Sequence, residues 1–148
     1  MSTASAVVAL LAVAPSARAD ITVTATVDHW SDGDTVVTDL GTIRLIGVNA
    51  PDIGACGYAK ATKVAEALAS AGATVTLTLP TGHDDTDAYG RLLRYVDLGG
   101  VDIGLRQIKK GSQAKYDSTD GYDGHPQQKR YRKQDIRHRD YCASRDVR

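Results

Sequence analysis

The chain has 148 residues, with 18 Lys and Arg balanced by 18 Asp and Glu, 42% hydrophobic residues, two Cys and no Phe. That length suits one domain with a single core. The zero net charge is unevenly distributed: residues 125–148 carry eight Lys and Arg against three Asp, a net of +5, while residues 20–124 carry nine against fifteen acids, a net of −6. A basic terminal segment can hold a polyanion, whereas an acidic body repels one unless a cation engages its carboxylates.

The opening MSTASAVVALLAVAPSARAD contains an apolar run and ends in Ala17-Arg18-Ala19, an A-x-A site ahead of Asp20. This reads as a signal peptide over residues 1–19, with a mature secreted domain over 20–148. It lacks the usual Lys or Arg in its first residues, so an Ala-rich tail that stays on is the alternative. The run is too short to span a bilayer and no other stretch is a candidate, so no membrane partner is expected for the mature form.

Ile21 to Val27 alternates with period two and predicts a half-buried strand. Asp32-Gly33-Asp34 supplies a turn before a second strand at Thr35 to Thr38, and Leu40-Gly41 leads into a third at Thr42 to Val48, ended by Pro51 and Gly54. Tyr58 to Ala71 has high helix propensity, with Ala61, Val64, Ala65, Leu68 and Ala71 near one face and Gly72 at the stop. Thr74 to Leu79 and Arg91 to Val96 complete the strands, separated by the polar loop TGHDDTDAYG. Asp102 can cap a second helix reaching Lys110, and Pro126 to about Tyr141 predicts a third, highly charged one. The expected fold is mainly β with α: a five-stranded OB-like barrel with three helices.

Cys56 and Cys142 form neither a CxxC nor a zinc pattern. In an exported chain one disulfide closing a long loop is the simple reading, and two independent thiols are the alternative. His29, His83, His125 and His138 are scattered, as exposed or structural histidines would be. The basic run Lys129, Arg130, Arg132 and Lys133 around Tyr131 is either a nucleic-acid contact or a solvated helix face.

Three segments concentrate polar residues on loops next to strands: DGDT at Asp32 to Thr35, RLIGVNAPD at Arg44 to Asp52, and DAYGRLL at Asp87 to Leu93. Their order and motifs resemble the staphylococcal nuclease (thermonuclease) family, closely over Val27 to Tyr116 and loosely over the last helix. The resemblance implies an OB barrel that cuts phosphodiester bonds of DNA and RNA with calcium and little sequence preference. It implies catalytic roles for Arg44, Arg91 and Asp52. Asp34, Asn49 and Ala50 fall at metal-binding positions, and Tyr89 at a substrate-binding one; Tyr116 is a further substrate-binding candidate on its position rather than on the resemblance. Tyr116 and Tyr122 are stacking platforms in this reading, or supports for the barrel. A monomer is expected.

The residues suit that chemistry on their own terms. A five-coordinate phosphorus transition state needs cationic donors on its equatorial oxygens, and arginine's planar fork supplies paired, charge-assisted hydrogen bonds. Calcium takes about six to eight hard oxygens, which Asp34, Asn49, the Ala50 carbonyl and water can provide. On this reading Arg44 points from the barrel wall at a phosphate, and Asn49, Ala50 and Asp52 form the metal and water side of the same pocket. Asn49-Ala50-Pro51-Asp52 departs from the family's D-T-P-E at three positions. Asn49 removes a charge, so weaker calcium binding is expected. Asp52 retracts the carboxylate by a methylene, and a misplacement of ~1 Å can cost ~10²-fold in rate. The alternative function is a catalytically eroded barrel that binds nucleic acid or a protein partner without cleaving.

Overall fold

The computed structural model describes residues 9–12, 14, 18–115, 124–135 and 141–142. In chain order the elements are β1 (Ile21–Trp30), β2 (Thr35–Thr38), β3 (Gly41–Leu45), β4 (Val48–Asn49), α1 (Tyr58–Leu68), β5 (Thr74–Leu79), β6 (Leu92–Leu98), β7 (Val101–Asp102), α2 (Ile103–Lys110), β8 (Gln113–Ala114) and α3 (Gln128–Asp135). Five strands run in the order β3-β2-β1-β5-β6 and close into a mixed barrel through a parallel pairing of β3 with β6. The OB-like barrel with three helices is thus the observed architecture.

β1 makes the closure possible because it belongs to two ladders. Its first part pairs with β5, from Ile21 opposite Leu79 to Thr26 opposite Thr74, and its last part pairs with β2, where Trp30 faces Val36. The register slips between Val27 and His29. Such an irregularity bends a strand and adds twist, which turns a flat sheet into a barrel corner. Inside lie Val27, Val36, Ile43, Leu45, Val75, Leu77 and Val96, with Ile103 and Ile108 of α2 and Tyr131 of α3 buried in the same cluster. Ile21 and Val23 remain exposed, so the predicted burial on β1 holds only from Ala25 onward.

The predicted third strand, Thr42 to Val48, is divided. Gly47 adopts φ +77°, a left-handed turn that an L side chain enters only with strain, and a Cβ there would collide with the His125 ring. The chain therefore leaves the barrel after Leu45, and Val48–Asn49 pairs with Gln113–Ala114 as a separate two-stranded ladder. Asp102 caps α2 by accepting from the Leu105 amide at 2.9 Å, as expected. α1 stops at Leu68, leaving Ala71 exposed beyond it. The indole of Trp30 donates to the Ala69 carbonyl at 2.7 Å, satisfying an acceptor at the helix end that has no partner within the helix.

A buried glutamine joins the helices. Gln107 of α2 donates to the Ala61 carbonyl of α1 at 2.9 Å and accepts from the Tyr141 hydroxyl at 2.7 Å. Cys56 and Cys142 form a disulfide across 86 residues, tying the loop after β4 to the C-terminal segment. Of the predicted third helix, Gln128–Asp135 is helical, residues 136–140 lie outside the described ones, and Tyr141 sits in a turn. Among the described residues no helix is long and apolar enough to cross a membrane.

Candidate functional site

Closure of the barrel sets the first half of the site. The β3–β6 register puts Arg44 beside Leu93, two residues along from Arg91. Arg44 is buried, with 6% of its surface exposed, which answers why an arginine can interrupt an apolar strand. Its Nη1 donates to the carbonyls of Leu45 at 2.8 Å and Val48 at 2.7 Å, and Nη2 lies 3.2 Å from Asp34 Oδ2. A buried guanidinium is tolerated only when such acceptors surround it.

Asp34 is the hub of this wall. Its Oδ2 also accepts from the Ala50 amide at 2.6 Å, and Oδ1 accepts from the Thr35 hydroxyl at 3.0 Å. Asp32 braces the turn by accepting from the Asp34 amide at 2.9 Å. Gly33 between them is obligatory by packing, since a Cβ would come within 2.8 Å of the methyls of both Ala50 and Ala61. Burial pushes the Asp34 carboxyl up to about 6, against the pull of the Arg44 charge and with the help of Asp32.

The second half is the turn before β6. Asp87 accepts through Oδ1 from the amides of Tyr89 at 2.9 Å and Arg91 at 3.0 Å, and through Oδ2 from Arg91 Nε at 2.6 Å. Gly90 takes φ +78° to make the turn. The Arg91 guanidinium lies 5.4 Å from the Tyr89 ring centroid, and Tyr89 itself is 85% exposed. Arg44 and Arg91 line one open cleft of about 410 Å³, together with Gly47, His83, Asp84, Thr86, Asp87 and Tyr89. The two arginines that the sequence pairs are therefore brought together.

Asn49, Ala50 and Asp52 are arranged differently from the expectation of one pocket. They line a separate hollow of about 250 Å³ whose other walls include Pro51, Gln113, Tyr141 and the Cys56–Cys142 disulfide. The left-handed turn at Gly47 carries the chain out of the barrel wall between the two places. Ala50 is the joint, because its amide binds the Asp34 carboxylate that also faces Arg44. Asp52 is exposed.

Tyr116, Tyr122 and His138 lie outside the described residues. Tyr131 is not available for stacking: it is buried and its hydroxyl donates to Asp102 at 2.8 Å, while Lys129, Arg130, Arg132 and Lys133 are exposed around it. His125 is structural, buried between the Tyr95 hydroxyl at 2.7 Å and the Lys115 carbonyl at 3.2 Å. Burial lowers its pKa to about 4, so the ring is neutral. His83 lines the arginine cleft, which its position in a polar loop did not reveal. Asp87 was equally unassigned, although an acid four residues before an arginine across a Gly turn is a readable signal.

Among the described residues no group of three His, Cys, Asp or Glu side chains is placed to hold a metal. Asp34, Asn49 and Ala50 would offer hard oxygen donors with a single carboxylate, and that carboxylate is already engaged by Arg44, Thr35 and the Ala50 amide. That set is compatible with a weakly bound calcium ion and unsuited to a soft metal. Compared with known protein families and with curated proteins, the chain gives no match to either.

Proposed function

We propose that this protein is a phosphodiesterase that hydrolyses nucleic-acid strands, DNA and RNA alike, as a calcium-assisted nuclease of the staphylococcal nuclease kind. The observation that carries the reading is the convergence on one open cleft of Arg44, from β3, and Arg91, from the turn that leads into the parallel strand β6. A nucleotide's phosphate has the charge and the oxygens for two guanidinium groups. Tyr89, exposed at its rim, offers a hydroxyl and a ring face to the same ligand.

In the reaction a water oxygen attacks phosphorus, the phosphorus–oxygen ester bond breaks, and the leaving oxygen takes up a proton from solvent. Arg44 and Arg91 hold the phosphoryl oxygens and stabilise the charge that grows there. Asp52 takes the proton of the attacking water. Asp34, Asn49 and the Ala50 carbonyl would hold calcium, with Asp34 kept in place by Thr35 and the Ala50 amide. When bound, the ion supplies further positive charge against the phosphate.

A specific observation favours the second reading, a barrel that binds a strand without cutting it. Asp52 is exposed and borders the hollow beside the disulfide rather than the arginine cleft. The test is cleavage of single-stranded DNA by the purified protein with calcium, with a chelator, and with Arg91→Ala alongside. Calcium-dependent cutting that disappears in the variant supports the nuclease. Folded protein that binds DNA in a salt-dependent manner but never cuts it supports the eroded barrel.

A further inference from the structure

The turn before β6 contains a carboxylate whose work the reaction above does not use. Asp87 makes three hydrogen bonds within five residues: two to the amides of Tyr89 and Arg91, and one at 2.6 Å to Arg91 Nε. The backbone closes the same loop, with the Asp87 amide donating to the Arg91 carbonyl at 3.0 Å and the Gly90 amide to the Asp87 carbonyl at 3.1 Å. One acid thus sets both the shape of the turn and the direction of the arginine that ends it.

The geometry points to Asp87 as the positioning residue of the site: it holds Arg91 by Nε so that the terminal nitrogens are presented to a phosphate in the cleft. This rests on the reading of Arg91 as a phosphate ligand. Guanidinium carries five N–H donors, and the contact to Asp87 uses the one on Nε, leaving the four on the terminal nitrogens. Among the described residues none accepts from those four, and Arg91 lines the cleft. The Tyr89 ring, 5.4 Å from the guanidinium carbon, bounds the space in which the side chain can move.

The physical gain is preorganisation. A free arginine loses rotamer freedom when it binds, and an anchored one has lost it already. Asp87 is suited to the part because it stays ionised. Desolvation opposes the charge, but the amides of Arg91 and Tyr89 and the Arg91 guanidinium outweigh it and hold the carboxyl below the usual range. Arg44 needs no such anchor, being fixed by two carbonyls and Asp34 in the barrel wall. The exposed turn has no wall to lean on, and the carboxylate takes its place.

The discriminating variant is Asp87→Asn, which keeps an oxygen for the two amides but loses the anion that pairs with Nε. Expected is a fall of about 10²-fold in kcat on single-stranded DNA with a much smaller change in KM, and an unfolding midpoint near that of the parent. In an Arg91→Ala background the same substitution should change nothing further, since the two act as one unit. A parental kcat in Asp87→Asn, or an equal loss in both backgrounds, would overturn the proposal. If the parent protein proves unable to cut, the Proposed function fails separately, and inorganic phosphate binding decides this point. Asp87→Asn should then weaken phosphate binding, with the Arg91 Nε proton losing its downfield NMR shift and slow exchange. Unchanged affinity and an unchanged Nε proton would refute the role, and Asp87→Ala, which removes every contact, should exceed Asp87→Asn in both readouts.

Discussion

The two arginines of the cleft are held by opposite means. Arg44 belongs to the barrel wall: it is 6% exposed and bound by the Leu45 and Val48 carbonyls and by Asp34, which in turn binds Ala50 and Thr35. Arg91 belongs to an exposed turn, with 31% of its side chain accessible and one carboxylate, Asp87, on its Nε. The difference shows that two residues assigned the same chemistry do not carry the same structural burden. Arg44 serves fold and site together, because removing it takes the counter-charge from the buried Asp34 carboxylate and a donor from the Leu45 and Val48 carbonyls. Arg91 serves the site almost alone.

Arg44→Ala is therefore the harshest test. It should lower cleavage by orders of magnitude and destabilise the protein by about 3–5 kcal/mol, the usual consequence of breaking a buried ion pair from one side. Urea unfolding read beside the cleavage rate checks both. A loss of rate with unchanged stability would erase the contrast between wall and turn.

Arg91→Ala should match it in rate, by roughly 10²–10³-fold or more, as removal of a charge-stabilising donor does. Its stability should change by no more than about 1 kcal/mol, because the pair with Asp87 is partly exposed. A large drop in unfolding midpoint would make the turn as structural as the wall.

Acid probes the wall through His125, which packs against Gly47. Its folded pKa of about 4 lies below the ordinary 6.5, so the unfolded chain takes up the proton first. The stabilisation is complete above about pH 6.5, declines as pH falls, and is gone near pH 4, a difference of roughly 3 kcal/mol. Asp34 acts in the opposite sense, since its pKa is raised by burial to about 6 and the folded state gains protons below that value. Subtracting the pH profile of His125→Gln from that of the parent isolates the histidine. A flat difference between pH 6.5 and 4 would mean that the ring is accessible to protons in the fold.

The smallest expected effect is on Asp52, in neither arginine's surroundings. Asp52→Glu should raise cleavage by up to ~10²-fold if the short carboxylate limits the reaction. Rates on single-stranded DNA settle it. A fall would show that the loop beside the disulfide is adapted to aspartate.

Much of this was legible in the chain before its structure. Period-two runs located β1 and β5, turn and loop residues bounded β2 and β6, alanine-rich spacing located α1, and Asp102 marked the start of α2, because each is a local pattern that a local backbone geometry requires. β4 and β8 were not legible, since two residues are too few to show a period and their pairing spans a long separation. Tyr131 reads as part of a basic helical run, yet its hydroxyl is bound to Asp102 in the core, a partner that no spacing within α3 predicts.

The sequence by itself determined the barrel and its helices, and it named the two arginines, because alternation, caps and motif order are written in neighbouring residues. Only the tertiary structure decided how those arginines are held and where the rest of the site falls. Barrel closure by β3 and β6 brings Arg44 and Arg91 to one cleft, while the left-handed turn at Gly47 sends Asn49, Ala50 and Asp52 to the hollow beside the disulfide. Those relations depend on packing between segments far apart in the chain, and close packing admits one arrangement of them.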